Sequence, residues 1–377
     1  MRIAVLGSGM MGSVIAWDLT RSPDVEQVVV ADMDRGRLEG LSAKVRGEKL
    51  RTEVLDVRDK AKASQFMRGF DVVASALPHG SLNAANVAAV ESGAKMVDIA
   101  FEDAQMGLDD AARASGALLI PGCGLAPGLG GILLAHAVRT EKGANEGHIL
   151  VGGIPQKPVP PYGYRLVFSV VGLLREYTDD ARVFRNGKLI RVKPFSTVEK
   201  VRIPRVGALE AFCTDGLASL VYTMKGMKTL DEKTLRWPGH AEKMDLLLQT
   251  GFFSTTKLKV SSGEASPLEV SLKVLEKKLA QGGSEDMTVM RVQAKSRKRE
   301  VVYDLLDKYD RHNGVTSMGR TTGFTCSIVT QMVGSGEISS KGVLPPEEAV
   351  SGEKVEKLIS ELGRRGLGIT WKRHARR

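Results

Sequence analysis

Cysteine, aromatic residues and long apolar runs are all scarce in this chain, and each scarcity removes a class of function. Only three cysteines (Cys123, Cys213, Cys326) occur in 377 residues. Their spacings match no metal or redox motif, so buried reduced thiols are expected. The six histidines (His79, His136, His148, His240, His312, His374) form no cluster with Cys, Asp or Glu of the kind a metal needs, and no metal is expected. No apolar run approaches the roughly 20 residues that cross a bilayer, so no membrane partner is expected. A strand reading from residue 2 leaves no room for a signal peptide, which makes the cytoplasm the expected compartment.

Aromatic content is 5%, against a net charge of +10. The charge is unevenly placed: residues 1–150 hold 16 Lys and Arg against 19 Asp and Glu, and residues 151–377 hold 38 against 25. The basic residues are scattered and carry no stacking motif, so nucleic acid is not an expected partner. A basic surface and a basic tail at 371–377 account for the excess. Hydrophobic content of 42% over this length suits two or three domains with cores of their own.

The most informative stretch is MRIAVLGSGMMG. Residues 2–6 read as a short buried strand, and Ala16, Trp17 and Leu19 continue an apolar helix face. Gly7, Gly9 and Gly12 therefore fall in the turn of a βαβ unit: one for the tight turn, one for close approach of a pyrophosphate, one for helix–strand packing. The helix N-terminus supplies free N–H groups and a positive dipole end to that anion. Twenty residues beyond Gly12 a second strand, VEQVVVAD, ends on Asp32. A carboxylate there accepts hydrogen bonds from the ribose hydroxyls and repels a 2′-phosphate, which favours NAD over NADP. Arg35 and Arg37 follow, either to receive a phosphate or as the solvated first turn of the next helix.

Strand and helix signals then alternate. RTEVLD (51–56), a helix near 58–68, DVVASALP (71–78), a helix 82–92 with Ser81 as N-cap, KMVDIAF (95–101), a helix 104–115 and ALLIPG (117–122) complete a six-stranded doubly wound parallel sheet of Rossmann type. Ligands bind beyond the C-terminal strand ends of such sheets. The expected cofactor contacts are Gly7, Ser8, Gly9, Met10, Met11 and Gly12, then Asp32 and Met33, Asp56 and Val57, Ala76, Leu77 and Pro78, and Leu125 and Pro127. One more helix follows Gly128. From about 147 to 310 period-two stretches (HILVGGI, YRLVFSV, ARVFRNGKLIRV, STVEKVRI, MTVMRVQAKS, KREVVYDLLD) alternate with short helices near 170–177, 215–222, 239–250 and 267–280. This is a second, mixed-sheet α+β domain, with hairpins at RNGK (185–188) and around 294–299. From about 316 the chain is helical again and ends in a GLGITW strand. That segment either packs back on the first domain or extends as a terminal appendage; the first gives domains of 1–125 with 315–377, and 126–314.

GSGMMG with Asp32, ALP at 76–78, VDIAF at 97–101, GCGLAPGLGG at 122–131, TDGLASL at 214–220, KTLRWPGHAEK at 233–243, RTTGF at 320–324 and GVLPPE at 342–347 together resemble the saccharopine dehydrogenase-like family. Within it the lysine 6-dehydrogenases are most similar. The resemblance implies a nucleotide-binding domain completed by the C-terminal segment, and a second domain often used for oligomer contacts, so a homo-oligomer (dimer or tetramer) is expected. It implies that the loop after Ala76 and the GLAPG turn approach the nicotinamide, and that Asp98 lies near substrate. Saccharopine-forming members commonly follow that Asp with a small hydroxyl residue and tyrosine. Here Ala100 and Phe101 stand instead, which argues for a smaller or differently held substrate.

The chemistry so implied is oxidative deamination of a primary amine, L-lysine, by hydride transfer to nicotinamide, with ammonia and an aldehyde as products. The ammonium must lose its proton first, which calls for a base, and an amino-acid substrate calls for an arginine clamp. Asp98 either orients the amine or caps a helix. Arg236 and His240 either hold the carboxylate and relay a proton, or are a solvated arginine and a structural histidine. Thr214 and Asp215 either contact substrate or cap the TDGL helix. Phe101, Tyr164 and Arg165 complete the expected substrate contacts, with Glu176 read as a surface partner of Arg175. Two other readings stay open: a reductase joining an amine to a carbonyl (saccharopine or a carboxylated polyamine such as carboxyspermidine), and a catalytically silent nucleotide-binding regulator.

Overall fold

The computed structural model describes residues 1–45, 47–261, 263–280 and 285–375. The last two residues of the basic tail, Arg376 and Arg377, lie outside the described residues. Contacts divide the chain into two units. The first comprises Met1–Thr140, Ala218–Met224 and Gly319–Ile369, and the second comprises Glu141–Leu217, Lys225–Met318 and the chain from Thr370.

Short runs of small and branched apolar residues build the sheet of the first unit: β1 (Arg2–Leu6), β2 (Gln27–Asp32), β3 (Leu50–Val54), β4 (Val72–Ser75), β5 (Lys95–Asp98) and β6 (Leu118–Ile120). Between them run α1 (Met10–Arg21), α2 (Arg35–Lys44), α3 (Lys60–Met67), α4 (His79–Ser92), α5 (Asp103–Met106) and α6 (Asp109–Ser115), with α7 (Leu129–Thr140) after β6. The sheet order is β3-β2-β1-β4-β5-β6, extended by a seventh strand from the far end of the chain, and every pair is parallel. Strand order reverses between β1 and β4, the switch point where ligands bind such sheets. Three expected boundaries shift. Pro78, with ψ near 153°, already holds the chain extended at the N-cap, so α4 begins at His79 and Ser81 is no cap. The expected helix over 104–115 is two short ones, interrupted at Gly107. The strand read to Phe101 ends at Asp98, where the chain turns.

In the second unit β7 (Glu146–Pro155) is followed by α8 (Val170–Thr178), β8 (Ala181–Arg185), β9 (Lys188–Val192), β10 (Val198–Ile203) and β11 (Gly207–Cys213). After α9 (Leu220–Thr223), which belongs to the first unit, come β12 (Thr229–Arg236), α10 (His240–Gln249), β13 (Leu258–Val260), β14 (Gly263–Ala265), α11 (Pro267–Leu279), β15 (Asp286–Lys295) and β16 (Arg299–Lys308). The main sheet runs β10-β11-β12-β7-β15-β16 with one parallel pair, β12 with β7, so it is mixed as expected. Asn186 and Gly187, at φ of 52° and 78°, turn the β8–β9 hairpin. YRLVFSV forms no strand. Prolines at 158, 160 and 161 lead into it without N–H groups for a ladder, and Tyr164 and Val167 are instead buried in the core with Leu173 and Phe212.

The closing segment comprises α12 (Ser317–Gly334), β17 (Gly342–Val343), α13 (Pro346–Ala349), α14 (Glu353–Arg364) and β18 (Ile369–Ala375). Its larger part completes the first unit. β17 pairs with β6. Asp18 of α1 accepts from Ser327 Oγ at 2.6 Å and from Arg365 Nε at 2.8 Å. Gly323 lets α12 lie close on α1, since a Cβ there would come within 3.0 Å of Val14. The observed division differs from the expected boundaries at four places, the smallest being residues 315–318, which stay with the second unit. Helix α7 stays with the first unit because α13 packs on it, with Arg139 donating to the Glu347 carbonyl at 2.7 Å. Residues 218–224 join it because Ser219 and Thr223 donate to the buried Glu347 carboxylate at 2.9 and 2.6 Å. β18 leaves it, joining the second sheet beside β16, where Arg373 pairs with Glu141.

The tightest point of the first unit is its glycine turn: a Cβ on Gly12 would lie 1.9 Å from the Gly7 carbonyl oxygen. Backbone has to move to admit it, so Gly12→Ala should destabilise the protein by about 3 kcal/mol or more, as overpacking of a rigid contact does. Urea unfolding measures this, and an unchanged midpoint would refute the contact.

Candidate active site

The glycine turn is built from two exclusions and one opening. Gly7 sits at φ +92° with its would-be Cβ 2.7 Å from the Ala76 carbonyl oxygen, and Gly12 abuts Gly7. Gly9, in contrast, has nothing within 4 Å of a Cβ. The N-terminus of α1, with Gly9 at the cap position, carries no side-chain cap. Its N–H groups are therefore free for an anion, and the open side of Gly9 admits one closely. Asp32 stands at the tip of β2. Its Oδ2 accepts from the Ser8 amide (2.7 Å) and the Ser8 hydroxyl (2.8 Å), and its Oδ1 accepts from the Asp34 amide (2.9 Å). Burial works to raise its pKa, but the Ser8 and Asp34 amides outweigh it and hold the carboxyl below the ordinary value. These residues fit the pyrophosphate and ribose of a dinucleotide.

The other expected cofactor positions are distributed around the same strand ends. Met10 and Met33 are exposed beside the turn and Met11 is half-buried. Asp56 lies after β3 at the surface, but Val57 is a core residue, packed with Leu55 and Ala63. Ala76 is tied to β1 by its amide on the Leu6 carbonyl (2.9 Å) and leads through Leu77 and Pro78 into α4. Leu125 and Pro127 belong to the turn after β6, closed by the Gly124 amide on the Pro127 carbonyl (2.9 Å).

That turn fixes Asp98. The Cys123 amide donates to the Asp98 carbonyl (2.6 Å) and the Gly122 amide to the Ala100 carbonyl (2.8 Å), so the ends of β5 and β6 are sewn together. Asp98 is 1% exposed. Its Oδ1 accepts from the Ala100 amide (2.9 Å), while its Oδ2 has no partner, and neither has the hydroxyl of Ser75, its register partner on β4. Burial raises the Asp98 carboxyl to about 7, against the opposing Ala100 amide and the nearby Ser75 hydroxyl. It is no helix cap, because α5 is capped by Glu102, which forms a capping box with Gln105. The same strand ends hold a pair that sequence reasoning missed: His79 Nδ1 lies 2.9 Å from Glu102 Oε1. Phe101 is half-buried, its Cβ 3.2 Å from where Gly122 would carry one.

In the second unit Tyr164, Thr214, Arg236 and His240 are buried, Arg165 is half-buried and Asp215 is exposed, and there the expected roles need correction. Arg236 is 1% exposed and pairs with Glu176 of α8, beneath the Tyr164 ring at 4.6 Å. Its guanidinium is thus committed to a carboxylate of the protein instead of being solvated or held out as a clamp. Glu176, read as a partner of Arg175, serves Arg236, while Arg175 pairs with Asp179. His240 Nδ1 lies 2.8 Å from the Tyr162 carbonyl, which can only accept, so Nδ1 carries the proton and Nε2 accepts from the Tyr177 hydroxyl (2.7 Å). Burial and then the Arg236 charge lower its pKa to about 3. It stays neutral at physiological pH, and at the start of α10 both of its ring nitrogens are engaged by groups of the protein. Thr214 and Asp215 cap no helix, since α9 begins at Leu220. Thr214 donates to the buried Glu232 (2.6 Å), and Asp215 accepts from Arg182 (2.9 Å). Tyr164 is buried with its hydroxyl unpartnered, and Arg165 follows it in the same irregular segment. Glu232, missed by sequence reasoning, is pushed by burial to about 8, so it is protonated at neutral pH; its oxygen fills the space over Gly216. Among the described residues no group of three or more His, Cys, Asp or Glu is placed to hold a metal, and no helix is long and apolar enough to cross a membrane.

Two family models cover nearly the whole chain. The saccharopine dehydrogenase NADP binding domain matches residues 3–120 and the saccharopine dehydrogenase C-terminal domain matches residues 124–367. The chain belongs to the saccharopine dehydrogenase family of oxidoreductases, with a nucleotide-binding Rossmann-type first unit. It is 23% identical to the saccharopine dehydrogenase [NADP(+), L-glutamate-forming] of Schizosaccharomyces pombe, covering 95% of this chain and 97% of that one. It is 24% identical to the mitochondrial alpha-aminoadipic semialdehyde synthase of Mus musculus over 96% of this chain, and spans 47% of that protein's length. In structure it resembles apo saccharopine dehydrogenase (L-Glu forming) from Saccharomyces cerevisiae, with a TM-score of 0.80 at 19% identity over 99% of this chain and 100% of that one.

Two outcomes follow from the buried groups. A carboxyl titrating at about 7 instead of 3.8 binds its proton more tightly folded than unfolded, so Asp98 makes the fold less stable as pH rises through that window. Asp98→Asn should therefore melt higher than the parent at pH 8 and alike at pH 4; a difference independent of pH contradicts its burial. Glu176→Gln leaves the Arg236 guanidinium buried and unpaired, and should cost about 3 kcal/mol in urea unfolding. No loss would mean that Arg236 does not depend on this pair.

Proposed function

We propose that the protein is a nicotinamide-dinucleotide-dependent oxidoreductase acting at a carbon–nitrogen bond, and that it oxidatively deaminates the terminal amine of L-lysine with NAD. The observation that carries the reading is Asp98: a buried carboxyl at the C-terminal end of β5, one oxygen unpartnered, titrating near neutrality beyond a nucleotide turn. Groups with this combination of burial, placement and shifted pKa serve as acid–base catalysts. NAD is favoured over NADP by the ionised Asp32, whose charge opposes a 2′-phosphate. Phe101, in place of the tyrosine of saccharopine-forming relatives, favours a smaller substrate.

The bound dinucleotide supplies a hydride acceptor for the carbon that carries the nitrogen. Asp98, ionised, takes a proton from the substrate ammonium, so that the nitrogen lone pair can form the C=N bond as hydride leaves. Water then adds, ammonia departs, and the aldehyde can close on the α-amine to a piperideine carboxylate. From an ammonium near 10.4 to a carboxylate at about 7 the proton moves uphill by about 4–5 kcal/mol. Turnover should accordingly climb with pH through and beyond 7.

A second reading, in which an amine and a carbonyl are joined reductively, is favoured by the name of the Schizosaccharomyces pombe relative. Products separate the two. With L-lysine and NAD, the first predicts one ammonia per NADH. The second predicts that saccharopine reduces the cofactor with release of glutamate and that lysine does not. Under either reading, Asp98→Asn should lower kcat by about 10²–10⁴-fold and abolish the limb of the pH profile near 7, with dinucleotide affinity kept. A variant with the parent's kcat and profile would remove Asp98 from the chemistry.

A further inference from the structure

Three arginines, Arg35, Arg37 and Arg58, lie close to the end of β2 in sequence or space, and two of them are held by carboxylates two or three residues before them. Arg37 Nε lies 3.3 Å from Asp34 Oδ2. Arg58 is held more completely. Its Nε reaches Asp56 Oδ1 at 2.9 Å and Oδ2 at 3.0 Å, its terminal nitrogen reaches Oδ2 at 2.6 Å, and its backbone amide reaches Oδ1 at 3.0 Å. The same terminal nitrogen lies 4.0 Å from Met33 Sδ, the residue after Asp32. The guanidinium therefore reaches the residue that follows Asp32 at the end of β2. It is also in solvent, with 58% of the side chain exposed.

We propose that Asp56 is a selectivity residue: by occupying the Arg58 guanidinium it withholds from a 2′-phosphate a cation that stands at the end of β2. The inference rests on the dinucleotide reading and extends it from Asp32 to a second carboxylate. A 2′-phosphate needs a forked cation to offset Asp32. To recruit Arg58 it has to break the fork on Asp56, and the freed Asp56 carboxylate then adds a second negative charge next to the phosphate. Asp56 itself is strongly stabilised as the anion, its carboxyl drawn down to about 2 by the Arg58 side chain and amide. An exposed pair is weak, so the effect on selectivity is moderate and reversible by single substitutions.

Asp56→Asn is a clean probe, because an asparagine oxygen can still accept the Arg58 amide and keep the turn while the charge and the fork are lost. Calorimetric titration of NAD and NADP into the full chain, the Asp56→Asn variant and the Asp56→Asn/Arg58→Ala double variant reads the affinity ratio. The ratio should move about fivefold toward NADP in Asp56→Asn and return to the parent value in the double variant. A ratio unmoved by Asp56→Asn overturns the inference. So does a gain that survives loss of Arg58. If the parent binds neither dinucleotide, the reading beneath the inference fails first and takes it along. All three proteins should melt alike, since both side chains lie at the surface.

Discussion

The close approach of Gly12 to the Gly7 carbonyl is the contact on which the first unit depends. It sets α1 directly on the end of β1, so that the helix N-terminus, uncapped by any side chain, opens where the strand order reverses. The same turn aligns the Ser8 amide on Asp32, which places a fixed negative charge beside the open end of the helix. The rest of the unit secures that geometry from behind. Ser327 and Arg365, more than 300 residues away in sequence, hold Asp18 on the far side of α1, and Gly323 lets α12 lie against the helix. A site formed by the first 32 residues is thus braced by the last 60.

Asp98 shows how the same sheet produces chemistry. Strand ends near a switch point are where α/β proteins place reacting groups, but position alone leaves a carboxylate at its ordinary pKa, too weak a base for an ammonium. Burial makes the difference. The turn after β6 closes over the end of β5 through two backbone hydrogen bonds and excludes water from the carboxyl, which outweighs the Ala100 amide and the Ser75 hydroxyl that favour the anion. The cost is a destabilised ground state of the protein at neutral pH, a familiar exchange at functional sites.

How much of this was legible in the sequence depends on whether the signal was local. The glycine turn, Asp32 and the parallel strands were readable because each rests on spacing within a few residues. The NG hairpin at 186–187 was readable for the same reason. β12 was not: TLDEKTLR reads as a polar surface stretch, yet Asp231, Glu232, Thr234 and Arg236 are all buried, each paired with a residue distant in sequence. That also explains why Arg236 and His240 looked like a clamp and a proton relay. Composition shows an arginine and a histidine near a turn; only the fold shows that Glu176 and three tyrosines already engage them. YRLVFSV carried a strand's alternation, and the preceding prolines were the available warning. β18 was expected as a strand, but its pairing with β16 is long-range, and no local pattern assigns a terminal strand to one sheet or the other.

Under the proposed function, hydride leaves the terminal carbon of L-lysine, the carbon that bears its side-chain nitrogen. The most direct measurement uses L-lysine deuterated at the terminal carbon, incubated with the parent protein and NAD, followed by mass spectrometry of the recovered cofactor. One deuterium in each reduced dinucleotide, with one equivalent of ammonia, is the predicted result. Reduced cofactor without deuterium, or no reduction of either NAD or NADP, would contradict it.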